Sequence, residues 1–215
     1  MKRTVLFLLI LALLGGTLTA FSSCSRAPKI DDVKNELIAL IEASFEINTV
    51  FFGAGLPVYD RSDVIYADLY NVYASSQYVN SYDVVDRTHA KFTTINQIKA
   101  AASLVYSPQL LEEILFVNAF VGYALSDATG KFASSPALFV EDDSFLYQSR
   151  TLENKLPNGQ KVYDYSTMKI ARPSGRNAIF VTLSCFYASN PTVTSSARLR
   201  FVKTASGWRL DSFTV

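Results

Sequence analysis

Apolar residues recur with two different periods in this chain, which divides it into a helical part and a strand-rich part. Over residues 30–52 they recur every three to four positions, and Asp31 and Asp32 lie in the first turn, where the helix dipole favours acids. Similar spacing predicts helices over 62–75, from Thr94 to about 105 and from Pro108 to about 117. Residues 77–85 are typical of a strand.

From residue 138 onward the pattern is that of strands. Three stretches each contain two apolar runs about a turn, namely ALFVEDDSFLYQ, STMKIARPSGRNAIFVTLSCFYA and SSARLRFVKTASGWRLDSFTV. In the last one Arg198 and Arg200 are expected to face solvent, whereas Leu199, Phe201 and Trp208 face the core. Helices followed by antiparallel strands predict a single α+β domain over residues 29–215, in which a curved sheet of mainly C-terminal strands packs on the N-terminal helices.

The N-terminus has the layout of a secretory signal over residues 1–23. Two basic residues precede an apolar run over 5–14, followed by small residues. The run is about half of the 20 residues that a membrane-spanning helix needs, so the sequence does not predict permanent spanning.

Phe21-Ser22-Ser23-Cys24 resembles the lipobox of bacterial lipoprotein signals. In that family the cysteine thiol receives a diacylglycerol, and cleavage makes the cysteine the first residue. The resemblance implies that Cys24 anchors the chain to a membrane, that residues 24–28 form a short lipidated tether, and that the domain lies outside the cytoplasm in a bacterial cell envelope. A plain secretory signal with an incidental cysteine is the alternative.

Composition and charge narrow the range of functions. Removal of residues 1–23 takes away two basic residues and no acid, which leaves 18 basic and 19 acidic residues. This balance predicts no nucleic-acid partner. Cys185 lies in an apolar stretch and is expected to pack in the core as a small hydrophobe. We expect no metal and no cofactor, because the sequence contains no HExxH motif, Cys/His cluster, phosphate loop or dinucleotide fingerprint.

His89 is the single histidine, and Asp86 precedes it by three residues. The context YDVVDRTHAKF indicates a strand that runs into a loop, and an odd offset along a strand places two side chains on opposite faces. We therefore predict a surface histidine without a local Asp86–His89 pair. The sequence contains no serine-hydrolase elbow either, so no residue is assigned a catalytic role.

Two groups of residues are candidates for binding a partner. Tyrosines are dense between residues 59 and 82, and those at helical spacing provide an apolar ring with a polar tip, although such a stripe also suits the edge of a core. Three adjacent acids at a hairpin turn form the densest charge cluster, although the pattern favours a solvated turn over a binding site. The candidates are Tyr66, Tyr70 and Tyr73, and Glu141, Asp142 and Asp143.

Two stretches resemble known families. The C-terminal SGWRLDSFTV is similar to the last strand of nuclear transport factor 2-like domains. The resemblance implies an α+β domain of the nuclear transport factor 2-like or cystatin-like kind. TINQIKAAASLVYSPQLLEEI, ALFVEDDSFLY and GWRLDSF together resemble, in order, secreted bacterial inhibitors of cell-wall DL-endopeptidases of the IseA type. The resemblance covers roughly residues 78–215 and implies a fold and a compartment. Its motifs carry no inhibitory residue across to this chain.

These observations lead to two hypotheses. The first is a non-enzymatic, lipid-anchored binding protein of the cell envelope, with a cell-wall hydrolase or another envelope protein as partner. The second is a nuclear transport factor 2-like small-ligand carrier or enzyme, whose pocket has His89, Asp83 and Asp86 as polar walls. The second hypothesis requires a cavity of about 300 Å³ or more on which these groups converge.

Overall fold

The computed structural model describes residues 26–62, 81–126, 132–142 and 145–215. It confirms the predicted α+β class, with N-terminal helices packed against antiparallel sheets that are formed mostly by C-terminal strands. Apart from Ser62, the predicted helix over 62–75 lies outside the described residues, as does the beginning of the predicted strand over 77–85.

The first two helices form where the pattern predicts them. Helix α1 spans Ile30–Phe52 and ends at Gly53, whose N–H donates to the carbonyls of Asn48 and Thr49 at 3.1 Å. Helix α2 spans Ile95–Val105, and its N-terminus is capped by the Thr94 hydroxyl, which accepts from the N–H of Gln97 at 3.2 Å.

The third helix begins as predicted but is longer and wider. Ser107 caps α3, Pro108–Leu110, and the helix continues through two π-helical stretches, Leu111–Leu115 and Val117–Val121. Gly122, with φ of 77°, ends it. We call residues 108–121 the wide helix. Its wider hydrogen-bonding pattern is rare and occurs frequently at functional sites.

The described strands form three antiparallel sheets rather than one. In the first, β1 (Tyr82–Val84) and β4 (Phe139–Asp142) pair with opposite edges of β5 (Phe145–Ser149). A short hairpin, β2 (Tyr123–Ser126) with β3 (Phe132–Ser135), was not predicted from the sequence.

The third sheet consists of the four C-terminal strands in sequential order. The strands are β6 (Lys161–Ala171), β7 (Ala178–Tyr187), β8 (Asn190–Thr204) and β9 (Gly207–Leu210). Burial alternates along β7, as expected of a sheet with one face in the core. We call these strands the C-terminal sheet. Its two outer hairpins turn where the sequence predicts.

The core lies between α1 and the C-terminal sheet. Leu37 and Ile41 of α1 are fully buried, as are Ile179 and Phe201 of the sheet. Burial of each such side chain stabilises the fold by about 1.5–3 kcal/mol. The prediction that Leu199, Phe201 and Trp208 face inward is confirmed, and so is the burial of Cys185.

Candidate functional site

A cavity of about 240 Å³ lies where the C-terminal end of α1 meets the wide helix. Seven of its nine lining residues are apolar and two, Asn118 and Lys155, are polar, and polar atoms make up about half of its surface. The lining residues are Phe51, Phe52, Ile114, Leu115, Asn118, Ala119, Leu138, Lys155 and Phe213. The cavity is open to solvent on one side.

The α1 wall of the cavity is held in place by hydrogen bonds at the end of the helix. The carbonyl of Phe52 accepts from the N–H of Lys155 at 2.7 Å, which brings Lys155 to the cavity. After the helix, the N–H of Leu56 donates to the Gln148 side chain at 2.6 Å. The Phe52 ring packs edge-on against Phe213, with 5.0 Å between ring centroids. Phe52, Lys155 and Phe213, which are distant in the sequence, therefore line the same cavity.

The wide helix presents apolar side chains to solvent beside the cavity. Ile114, which lines the cavity, is 44% exposed, and Val121 is 76% exposed. Val117 on the same helix is also exposed. Large aliphatic side chains that remain in water next to a concave apolar surface are typical of a contact surface for another molecule. We call the cavity and these three side chains the apolar site.

A buried hydrogen-bond network supports the floor of the apolar site. Asn48 of α1 donates to the hydroxyl of Thr214 at 2.7 Å and accepts from the hydroxyl of Tyr106 at 2.6 Å. Ser44 contacts the same Thr214 hydroxyl at 2.6 Å. Burial raises the pKa of Tyr106 to about 12, so its hydroxyl stays protonated as a donor. The Tyr106 ring packs against Phe213 and thereby positions a lining residue.

The acidic turn has a structural contact that the sequence did not indicate. The carboxylate of Glu141 accepts from the N–H of Ile95 at 3.0 Å, at the N-terminus of α2. An acid at this end of a helix compensates unpaired N–H groups and the helix dipole. Asp142 is partly exposed, and Asp143 lies outside the described residues. Tyr66, Tyr70 and Tyr73 also lie outside them, so their predicted binding role stays a prediction.

The expectation of no local Asp86–His89 pair is wrong. His89 Nδ1 lies 2.6 Å from the Asp86 carboxylate. After β1 the chain turns back on itself, since the N–H of Ala90 donates to the Asp86 carbonyl at 2.8 Å, and such a turn brings residues three apart together. The His89 side chain is 76% exposed, as expected of a surface histidine.

The three polar residues of the small-ligand hypothesis do not line the cavity. Asp83 instead forms ion pairs with Arg61 at 2.7 Å and Arg150 at 3.0 Å. Asp86 and His89 form the solvent-exposed pair described above. The carboxylates are therefore engaged by neighbouring side chains at positions that the cavity does not reach.

The Asp86 carboxyl provides a pH-dependent test of this turn. Hydrogen bonds from the Thr88 hydroxyl, and to a smaller extent contact with His89, lower the pKa of Asp86 to about 2. The charged form stabilises the turn above the ordinary carboxyl pKa, and this contribution is lost as the pH falls towards 2. We expect Thr88→Ala to raise the pKa of Asp86 in a carboxyl ¹³C NMR titration, whereas Thr93→Ala leaves it unchanged. Equal pKa values in wild type and Thr88→Ala would contradict this account.

Sequence reasoning missed Ile114, Asn118 and Lys155 of the apolar site. The signal was present in the wide helix, where Leu110, Leu111, Leu115, Phe116 and Ala119 account for the buried side. Ile114 and Val117 are additional apolar residues outside that set, and surplus apolar residues on a helix indicate a second contact surface. Lys155 gives no such signal, because a loop brings it to the cavity.

Two further findings concern metal binding and membrane spanning. Within residues 26–62, 81–126, 132–142 and 145–215, no group of three or more His, Cys, Asp or Glu side chains is placed to hold a metal ion. Of the helices described, none is long and apolar enough to cross a membrane.

Comparison with family models and with curated proteins finds no match to this chain.

Proposed function

We propose that the protein is a lipid-anchored, extracytoplasmic binding protein that takes an apolar side chain of a partner protein into the apolar site. The observation that carries the proposal is the cavity lined by Ile114, on a helix that also leaves the aliphatic side chains of Val117 and Val121 in solvent. A small concave apolar surface surrounded by a rim is the form of a binding hot spot, which buries one anchor side chain of the partner.

The size and chemistry of the cavity favour a protein partner over a small ligand. Pockets for small molecules generally measure about 300–1,000 Å³ and enclose most of the ligand. This cavity, at about 240 Å³, is smaller and open on one side. The polar groups that the small-ligand hypothesis assigned to such a pocket lie elsewhere. A single anchor side chain of a partner protein needs less volume. The partner residues next to the anchor would cover the exposed aliphatic side chains of the wide helix.

The polar part of the apolar site suggests the chemistry that surrounds the anchor. Lys155 has no ion pair in the described part of the chain, and Asn118 is the other polar residue that lines the cavity. A carboxylate next to the inserted side chain would complement the Lys155 ammonium. A peptide segment with an aromatic or aliphatic residue near an acid fits both features.

The lipobox resemblance of Cys24 supports a partner in the cell envelope. The resemblance to DL-endopeptidase inhibitors makes a cell-wall hydrolase the first partner to test. In this proposal the protein acts by covering a surface of the partner and performs no chemistry itself.

Photo-crosslinking in the native membrane tests the proposal. A crosslinking amino acid at position 114 is expected to trap one envelope protein. The same amino acid at position 193 is the matched control, since Val193 is also an exposed aliphatic residue, at 63%, but lies on the C-terminal sheet. Trapping of the same species from both positions, or of none from position 114, would contradict a specific contact at the apolar site.

A charged side chain at the cavity should weaken binding of the partner. We expect Ile114→Asp to weaken binding of the trapped partner by at least tenfold, since a charge at a buried apolar contact is strongly unfavourable, whereas Val193→Asp has no effect. Purified DL-endopeptidase assayed on cell walls with wild type and with Ile114→Asp tests the inhibitor version. If wild type leaves the hydrolase rate unchanged, that version is wrong and another envelope partner remains.

A further inference from the structure

The near-zero charge of the chain hides two regions of opposite charge. Residues 161–215 contain eight Lys or Arg and only two acids, Asp164 and Asp211. Residues 24–160 contain ten Lys or Arg and seventeen acids. The C-terminal sheet is therefore strongly basic, and a charge asymmetry of this kind indicates contact with an anionic surface.

The basic residues collect on the face of the C-terminal sheet that points away from α1. Strand register places Lys169, Thr182 and Arg198 in one row and Ala171, Phe180 and Arg200 in the next. These positions alternate with the buried residues of β7 and β8, so their side chains lie on the opposite face. Arg209 of β9 belongs to the same face, and the turn between β6 and β7 adds two more cations. We call Lys169, Arg172, Arg176, Arg198, Arg200 and Arg209 the basic face.

Most of these positive charges are not neutralised. Among the residues that the structure describes, Arg200 is the member of the basic face with an acidic partner, Asp211. Arg198 lies over the Phe180 ring, 4.4 Å from its centroid, and donates to a backbone carbonyl. Arg209 likewise donates to backbone carbonyls. Five cations therefore share one face with interleaved apolar rings.

The basic face lies at the end of the sheet from which the membrane tether starts. The N–H of Trp208 donates to Glu36 at 2.8 Å, which holds the first turns of α1 against the turn between β8 and β9. The turn between β6 and β7 is at the same end, because the N–H of Lys203 donates to the Asn177 carbonyl at 2.8 Å. Cys24 precedes Ile30 by six residues, which can span at most about 20 Å.

The charges near the N-terminus of α1 cancel, so they do not counteract the positive charge of the basic face. The basic residues there are Arg26, Lys29 and Lys34, and the acidic residues are Asp31, Asp32 and Glu36. Among the residues that the structure describes, the excess positive charge at this end comes from the C-terminal sheet.

We propose that the basic face binds anionic phospholipid headgroups and sets the orientation of the domain on the membrane that holds it. The inference rests on the anchoring at Cys24 that is part of the proposed function. The tether keeps the start of α1 within about 20 Å of the anchor, and the basic face lies at the same end of the sheet. Attraction of cations to an anionic bilayer falls off within about 10 Å at 0.1 M salt, so the domain rests with the basic face against the headgroups. The domain then lies with the apolar site on another surface, open to a partner.

Vesicle co-sedimentation tests the proposal without the acyl chain. The probe is the processed chain, residues 24–215 with Cys24→Ser, mixed with vesicles of phosphatidylglycerol and phosphatidylcholine in equal parts or of phosphatidylcholine alone. We expect binding to the anionic vesicles that weakens with added salt, and little binding to phosphatidylcholine. Arg172→Gln with Arg176→Gln should weaken binding about 25-fold, since each cation near the surface contributes about fivefold.

The matched control is Arg87→Gln with Lys91→Gln, two exposed cations in the loop after β1. It removes the same charge and should bind as wild type. Equal binding to both vesicle types, an unchanged Arg172→Gln/Arg176→Gln variant, an equally weakened control, or capture of a soluble polyphosphate without vesicle binding would each overturn the proposal. Crosslinking from position 114 is independent of these results, so failure here is distinguishable from failure of the proposed function.

Discussion

Asn48→Ala is expected to lower the free energy of unfolding by about 3 kcal/mol or more. The Asn48 amide is fully buried and joins Tyr106 to Thr214, so its removal leaves both hydroxyls without this partner in the core. Each buried group that loses its hydrogen bond costs about 1–3 kcal/mol. For a domain of this size the melting temperature should fall by about 10 °C, measured by circular dichroism.

Two further variants show whether the network is the cause. Tyr106→Phe removes one hydroxyl of the network and leaves the side-chain oxygen of Asn48, Oδ1, without its donor. The free energy of unfolding should fall by about 1–2 kcal/mol. The double variant with Asn48→Ala should cost less than the sum of the single changes, because the two residues share a bond. Glu42→Ala, at an exposed position of α1, is the control and should change stability by less than about 0.5 kcal/mol. Additive effects of Asn48→Ala and Tyr106→Phe would contradict the network.

Gly55→Ala is expected to destabilise the fold by about 3 kcal/mol, from backbone strain and from steric overlap. Gly55 has φ of 80°, a backbone conformation that residues other than glycine adopt at a cost of about 1 kcal/mol. A Cβ atom at this position would lie 2.6 Å from Leu152 Cδ2 and closer still to the Gln148 amide. Displacement of Gln148 would break its hydrogen bond to the N–H of Leu56 beside the apolar site.

Gly159→Ala separates the two contributions. Gly159 has φ of 77°, but a Cβ atom there meets nothing within 4 Å. The variant should therefore lose only about 1 kcal/mol, which is the cost of the backbone conformation. Chemical denaturation of both variants gives the comparison. Equal losses for Gly55→Ala and Gly159→Ala would show that the contact with Gln148 is unimportant.

The local elements of this fold were predictable because their signals lie within a few residues. The bounds of α1 follow from the spacing of its apolar residues, and Thr94 and Ser107 act as the helix caps that their sequence context predicts. Alternation along β7 and β8 gives the buried face correctly. The wide helix was not predictable, because an apolar stripe does not distinguish α-helical from π-helical hydrogen bonding.

The sites were less predictable because they depend on contacts between distant residues. The cavity joins Phe51, Lys155 and Phe213, and nothing in their local sequence links them. The pairing of Asp86 with His89 depends on one turn, which strand-like context does not reveal. The basic face was visible in the sequence, but a single total of charges over the whole chain concealed it.

The buried partners of α1 come from the opposite end of the chain. Ser44 and Asn48 reach Thr214 across separations of 170 and 166 residues. These native hydrogen bonds to Thr214 therefore cannot form during synthesis until Thr214 has left the ribosome, and contacts at such separation form slowly. If the chain is exported as its first residues predict, we expect this delay to keep the polypeptide unfolded until it has crossed the membrane.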